Sequence, residues 1–545
     1  MKIALAQINV IIGDFAYNTR KMLSYIDKAR KQQADIIVFP ELATTGYPPR
    51  DFLEFSDFVE KAENSIEQLK KASQDIAIVV GSPTFNPVIE GKDLYNSVVF
   101  LYRGEEIYRQ HKTLLPTYDI FDEARYFEAA SRWNIVEFKG KKIALNVCED
   151  LWNLGNENPL YTINPMDKLM PYQPDFIINV SASPFDYTHA RERIRVLKQN
   201  VKQYQIPLIY VNHVGAQTDI IFDGGSLALG ANQKVYKELP YFEETLEVID
   251  INELQNPLRE QQQPKEKIAL IHDALVLGIK DYFGKIGFQT AVIGLSGGLD
   301  SAVTTVLAAK ALGKDKVRVL LMPSQFSSEH SVKDAVDLAN NLGIRYDMVP
   351  IQHIFETYLD QLNPLFEGKK FDVTEENIQA RIRGNLLMAI SNKFGNILLN
   401  TSNKSEMSVG YGTLYGDLAG GISVIADVYK TEVYDLARYI NRKHEIIPVH
   451  TIQKPPSAEL RPNQKDSDSL PDYDILDTIL KLYIEGRQSP QEIMASGYDK
   501  TLVNRILKLV NRNEFKRYQT APVLRVSPKA FGMGRRMPIV AKYLE

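Results

Sequence analysis

The run Gly294-Leu295-Ser296-Gly297-Gly298-Leu299-Asp300-Ser301 admits few folds. Apolar residues from Ala291 to Ile293 lead into it, and a helix-compatible stretch, Ala302 to Leu312, leaves it. Strand, glycine turn and helix in that order build one unit of a parallel sheet. The turn presents backbone N–H groups at a helix N-terminus, where the helix dipole also favours negative charge. Ser296 and Ser301 add hydroxyl donors, and Gly297 and Gly298 let the backbone approach an anion closely. A pyrophosphate suits such a turn. It is not the Walker loop, because no Gly-Lys-Ser/Thr follows, and G-x-G-x-x-G is absent. Asp300 would repel a bare phosphate, so a Mg2+ ion bridging the phosphates is the expected partner of its carboxylate.

The rest of the chain narrows the setting. At 545 residues it is long enough for at least two domains with separate cores. A net charge of −4 leaves no polycationic footprint for nucleic acid or a membrane surface. Met1 to Gln7 is too short an apolar run for a signal peptide, and no stretch reaches the ~18 apolar residues of a membrane span. The single cysteine, Cys148, excludes an intrachain disulfide and fits a reducing compartment. A cytoplasmic protein is expected.

Strand patterns recur through the first half at Lys2–Asn9, Ile36–Phe39, Ala77–Gly81, Asn96–Leu101, Lys142–Cys148, Phe176–Ser181 and Pro207–His213, with an amphipathic helix over Asn18–Gln33. Several are continuous apolar runs, as expected when both faces of a sheet are covered. Residues 252–267 turn polar and Pro-punctuated and read as a linker between a domain over 1–251 and one over 268–545. Beyond it, a helix over Ile268–Phe283 precedes the glycine turn, and strands at Val317–Met322, Tyr346–Val349 and Asn396–Asn400 predict a second, parallel sheet. The Pro-, Ser- and Asp-rich stretch Lys454–Tyr473 predicts a mobile or ligand-ordered loop.

Three residues of the first half stand near strand ends: Glu41 in Phe39-Pro40-Glu41-Leu42, Lys112 in His111-Lys112-Thr113, and Cys148 in Asn146-Val147-Cys148-Glu149-Asp150. Alone, Cys148 reads better as a buried small hydrophobe than as a nucleophile. The ordered set Glu41, Lys112, Cys148 resembles the triad of the nitrilase superfamily, and the phrase Pro40 to Tyr47 is similar to its amidase members. The resemblance implies an αββα sandwich and a glutaminase. Cys148 would attack the amide as a thiolate, Glu41 would act as general base, and Lys112 would stabilise the oxyanion. It also implies that Tyr118 lines the glutamine site and Ser183 binds the head group. For the glutamine carboxylate the ungapped match is His189, with Arg191 close by, and the sequence leaves the two open.

In the second half Ser296-Gly297-Gly298-Leu299-Asp300-Ser301 resembles the pyrophosphate loop of the ATP pyrophosphatases. Thr374 to Asn385, Asn400 to Glu406, and Tyr415-Gly416-Asp417 with Gly420-Gly421 resemble the glutamine-dependent NAD+ synthetases. With the nitrilase-like half, that likeness covers nearly the whole chain. It implies a Rossmann-like, doubly wound second domain that adenylates deamido-NAD+ with ATP and amidates it with ammonia from L-glutamine. Residue by residue, it implies Thr401 and Lys430 on ATP alongside the loop residues Gly294 to Ser301, and Asn377, Glu406 and Lys516 on deamido-NAD+. Asp300 and Glu406 would hold Mg2+, and a homo-oligomer is implied.

Overall fold

The structure, a computed structural model, describes residues 1–154, 159–255 and 266–543. The chain divides into two compact units, Met1–Pro264 and Lys265–Glu545. Of the expected linker, residues 256–265 lie outside the described residues. Its first residues differ from expectation: Ile251–Gln255 form a 3-10 turn in which Leu254 is fully buried, because an apolar residue there completes the core beneath it. Among the described residues no helix is long and apolar enough to cross a membrane.

The first unit is an αββα sandwich. One six-stranded sheet has β1 (Lys2–Gln7), β2 (Ile36–Val38), β3 (Ala77–Phe85), β4 (Leu94–Tyr102) and β5 (Glu105–His111) side by side. The other contains β6 (Val136–Phe138), β7 (Lys141–Val147), β8 (Phe176–Ser181) and β9 (Leu208–Asn212). After a short hairpin, β10 (Val214–Gln217) with β11 (Ile220–Asp223), the second sheet is extended by β12 (Leu227–Leu229) and β13 (Val235–Glu238). The chain then returns as β14 (Thr245–Asp250) to pair antiparallel with β1. Strand alternation builds the layers. Ile3, Leu5, Ile36 and Val38 meet Ile143, Leu145, Ile178 and Val180 in the core between the sheets. Ala4, Ala6, Ile37 and Phe39 face α1 (Phe15–Lys31) and α2 (Ser56–Ala72). On the far side Ala144, Ile177 and Tyr210 face α3 (Pro165–Leu169) and α4 (His189–Tyr204). The inner strands are covered on both faces, which accounts for their unbroken apolar runs, whereas β5 and β14 at the edges of the first sheet are partly exposed.

The second unit is a five-stranded parallel sheet. Its strands are β15 (Ala291–Gly294), β16 (Val317–Leu321), β17 (Arg345–Met348), β18 (Ile397–Asn400) and β19 (Ile422–Ser423), in the order β17-β16-β15-β18-β19. α5 (Lys267–Ile286) packs on α6 (Leu299–Leu312), which follows β15, and α7 (Glu329–Leu342) links β16 to β17. Val292, Leu320 and Leu398 pack against Phe355 of α8 (Gln352–Leu362) and Ile378 and Ile382 of α9 (Val373–Phe394). From β15 the chain moves outward through β16, whereas from β18 it moves the other way to β19. That reversal opens a crevice at the carboxyl ends of β15 and β18, where doubly wound sheets take their ligands.

Candidate active sites

In the first unit β7 delivers Cys148 to the first position of a 3-10 turn, Cys148–Leu151, with φ of +43°. A non-glycine residue adopts that left-handed backbone at a cost, so the surroundings must hold it. Asp150 does so. Its carboxylate accepts the N–H groups of Val147 at 3.1 Å and of Thr113 and Leu114 at 2.9 Å each, which stitches the cysteine corner to the segment carrying Lys112.

Glu41 follows β2, and its turn lies so close to β3 that a Cβ on Gly81 would meet the Leu42 nitrogen at 2.4 Å. One carboxylate oxygen accepts the Ala182 N–H at 2.8 Å; the other accepts Lys112 Nζ at 2.8 Å and Asn96 Nδ2 at 2.7 Å. Lys112 also meets Glu123, at 2.7 Å, and Glu123 accepts the Tyr47 hydroxyl at 2.8 Å. The structure thus brings Glu41, Lys112 and Cys148 into one buried site and adds a second carboxylate. Glu123 opens a single 3-10 turn, Glu123–Arg125, too short to give a periodic signal, so nothing local in the sequence points to it.

Burial disfavours the Lys112 ammonium, but Glu123 and Glu41 outweigh it and hold its pKa well above the ordinary lysine range. Burial first, and then the charge on Glu41, push the Cys148 thiol up, against the pull of Lys112. At rest the site is a neutral thiol beside an ion-paired lysine.

The expected glutamine-site residues surround this centre unequally. Tyr118 is 40% exposed and donates its hydroxyl to Glu149 at 2.9 Å, where Tyr161 also donates at 3.1 Å. Burial lifts Glu149, the neighbour of Cys148, to about 7. Ser183 is buried, with its Oγ 2.6 Å from His189 Nε2, and the His189 ring stacks on Trp152. Arg191 is exposed on α4.

In the second unit a cavity of about 310 Å³ opens at the carboxyl ends of β15 and β18. The glycine turn forms one wall. Ser296 Oγ accepts the Gly298 N–H at 3.1 Å and lies 3.1 Å from Ser301 Oγ, so the two hydroxyls share one corner. Gly297 has φ of +81°, and a Cβ there would stand 2.0 Å from the Ser331 carbonyl oxygen. Thr401, Glu406 and Lys430, the first residue of α11 (Lys430–Ile440), also line the cavity. Lys430 forms a short ion pair with Asp300, whose other oxygen accepts Asn403 Nδ2 at 3.0 Å. Asn403 caps α10 (Lys404–Val409), and its backbone N–H reaches Glu406 at 3.2 Å. Burial, and then repulsion from Asp300, keep the pKa of Glu406 well above the ordinary carboxylate range. Two half-buried carboxylates in mutual repulsion fit a divalent cation. Among the described residues no group of three or more His, Cys, Asp or Glu side chains could hold a metal alone, so phosphate oxygens and water would complete the shell of a Mg2+ ion.

Asn377 and Lys516 do not line this cavity. Asn377 accepts the Thr413 hydroxyl at 2.7 Å, and Lys516 donates to the carbonyls of Gly410 and Gly412 at 2.8 Å each, so both sit around one loop whose Gly416 and Asp417 reach the cavity wall. The stretch after Lys454 is tied across the cavity by Glu459, which accepts the hydroxyls of Ser328 at 2.9 Å and Ser331 at 2.7 Å. Arg383 lines the cavity as well and escaped the sequence reading. Two arginines two residues apart, Arg381 and Arg383, cannot share a helix face, which is the signal that one of them turns inward.

Comparison with known proteins matches both units. A family described as carbon-nitrogen hydrolase matches residues 2–259, and one described as NAD synthase matches residues 271–520. The chain is 45% identical to the glutamine-dependent NAD(+) synthetase of Synechocystis sp., over 99% of each chain. It is 41% identical to that of Acinetobacter baylyi, covering 99% of this chain and 98% of the relative. Among solved structures, glutamine-dependent NAD+ synthetase from Acinetobacter baumannii in complex with adenosine diphosphate aligns with a TM-score of 0.79 at 38% identity, over 99% of this chain and 98% of that one.

Proposed function

This chain belongs to the glutamine-dependent NAD+ synthetases, and from that premise we propose that it amidates deamido-NAD+ to NAD+, using ATP and the amide nitrogen of glutamine. The observation that carries the reading is the pairing, in one chain, of a buried Glu41–Lys112–Cys148 site with a Ser- and Gly-lined anion loop beside Lys430.

In the first unit Glu41 takes the thiol proton as Cys148 Sγ attacks the glutamine amide carbon. Lys112, kept charged by its two carboxylates, faces the oxyanion that develops. Glu41 then passes the proton to the departing ammonia, and water hydrolyses the thioester to glutamate. Ser183 with His189 binds the glutamine carboxylate, a role supported by the part-buried Ser183–His189 contact and by the exposure of Arg191. Tyr118 borders the glutamine through its hold on Glu149.

In the second unit the turn Ser296 to Ser301, with Thr401 and Lys430, holds the ATP phosphates. Asn377, Glu406 and Lys516 serve deamido-NAD+. Asp300 and Glu406 would hold Mg2+, which supplies neutralising charge to the phosphates. Lys430, on the cavity wall beside Asp300, is placed to meet phosphate oxygens. The acceptor carboxylate attacks the α-phosphorus, pyrophosphate leaves, and ammonia displaces AMP from the adenylate.

A homo-oligomer is supported by exposed apolar side chains on the second unit, Tyr346, Met348, Tyr358 and Phe394 among them. A cytoplasmic location is supported by the single, unpaired cysteine.

The test is a coupled assay with deamido-NAD+, ATP, Mg2+ and amide-15N glutamine. Wild type is expected to form 15N-labelled NAD+ with AMP and pyrophosphate, and Cys148→Ala to form NAD+ only when ammonium is added. Release of glutamate without NAD+ would overturn the acceptor.

A further inference from the structure

Three cations line the nucleotide cavity of the second unit: Arg383, Lys430 and Lys454. Two of them face carboxylates. Lys430 is paired with Asp300, and Lys454 lies 3.5 Å from Asp334 while donating to Ser331 Oγ at 2.9 Å. Arg383 differs from both. Its Nε donates to the Met322 carbonyl at 3.0 Å, just beyond β16, and among the described residues neither of its terminal amino groups has a partner and no carboxylate pairs with it. Burial pushes its pKa down to about 10, and Glu459 and Asp417 act only at longer range to restore it.

A partly buried guanidinium without a counter-ion is completed most favourably by something anionic. Its two free amino groups form a fork that matches two oxygens of one phosphate. The surroundings say which phosphate. Met322, whose carbonyl Arg383 holds, and Leu387, one helical turn further along α9, form an apolar part of the cavity wall, and Leu387 approaches Gly294 at the start of the anion turn. The guanidinium, held on the Met322 carbonyl, therefore lies where an apolar wall suited to a nucleoside borders the turn suited to pyrophosphate. In a nucleoside triphosphate that is the place of the α-phosphate.

We propose that Arg383 contacts the α-phosphate of ATP and carries the charge that builds there during adenylation. The inference rests on the reaction proposed above. An oxygen of the acceptor carboxylate bonds to the α-phosphorus, the bond from that phosphorus to the bridging oxygen breaks, and pyrophosphate leaves with the electron pair. Arg383 neither gives nor takes a proton in that step; its contribution is electrostatic and geometric.

Calorimetric titration of the full chain with ATP, AMP and adenosine, on wild type, Arg383→Ala and Arg383→Lys, tests the contact directly. Arg383→Ala is expected to weaken AMP and ATP about tenfold or more and to leave adenosine within about twofold, with Arg383→Lys between the two. Unchanged AMP binding overturns the proposal, and so does a parallel loss of adenosine, which would mean that the residue only supports the cavity wall. In the ammonium-driven reaction Arg383→Ala should also lower kcat about 100-fold while glutamine hydrolysis stays at the wild-type rate. Should wild type bind all three ligands yet amidate no deamido-NAD+, the proposed acceptor falls, and the titration still decides Arg383.

Discussion

Glu123 approaches Lys112 as closely as Glu41 does, at 2.7 Å against 2.8 Å, so one buried ammonium is shared by two carboxylates. The sharing separates two tasks. Glu123 keeps Lys112 charged and in place, which leaves Glu41 able to accept a proton without stranding the lysine. Glu123→Gln is expected to lower the kcat of glutamine hydrolysis about 10- to 100-fold, and Glu123→Ala to lower it further, because removing one member of a buried pair costs about 3–5 kcal/mol. NAD+ formation from ammonium should be unaffected. Equal glutaminase rates in wild type and both variants would sink this division of labour.

Glu149 gives a pH signature. Its carboxyl is lifted to about 7 in the folded chain, against an ordinary value near 4.5 in the unfolded one. Between those values the folded state binds the extra proton, so its contribution favours folding at low pH and is lost as pH rises through about 7. Glutamine mimics the protonated form. Glu149→Gln should therefore match wild type in thermal unfolding at pH 5 and exceed it at pH 8. A constant difference across that range would count against the linkage.

The backbone at Gly297 leaves no room for a side chain. Alanine there would have to hold a left-handed φ, at a cost of about 1–2 kcal/mol, and would drive its methyl into the Ser331 carbonyl. Gly297→Ala is expected to abolish measurable ATP-dependent amidation while glutamine hydrolysis continues. Loss of both activities together would show that the damage spreads beyond the turn.

Asn403 joins Asp300 to the cap of α10. Asn403→Ala should raise KM for ATP about tenfold and reduce stability by about 1 kcal/mol through the lost cap. Asn403→Asp would keep the cap but repel Asp300, so it should retain stability and still bind ATP weakly. Equal KM values for ATP in wild type and Asn403→Asp would refute the link.

The parts of the fold and sites readable in the sequence were those whose chemistry is local. The anion turn announces itself because glycine, serine and aspartate must alternate within a few residues of a strand and a helix. The covered strands do so because both faces are apolar. The nitrilase-like sandwich and the parallel second sheet were anticipated on those grounds and from family likeness, and they are present. The pairing of β14 with β1 was not, since it joins residues some 240 positions apart and β14 is a partly exposed edge strand carrying polar residues. Glu123 was hidden for a similar reason. In sequence it is an acid beside Ala124 and Arg125, indistinguishable from solvated surface, and only the fold carries it to Lys112. Lys404 is the extreme case: a lysine in a polar run that is fully buried, held by Asp427 at 3.0 Å, Glu485 at 2.8 Å and Ser527 at 2.7 Å.

Cys148 is the only sulfhydryl in the chain and is 5% exposed, with its thiol held neutral by burial. The protein thus carries a built-in tally of its own integrity. A chromogenic disulfide reagent should find almost nothing to react with in the native chain and one equivalent after denaturation. The rate at which that equivalent appears in a native sample then clocks the opening of the first unit, without any added label.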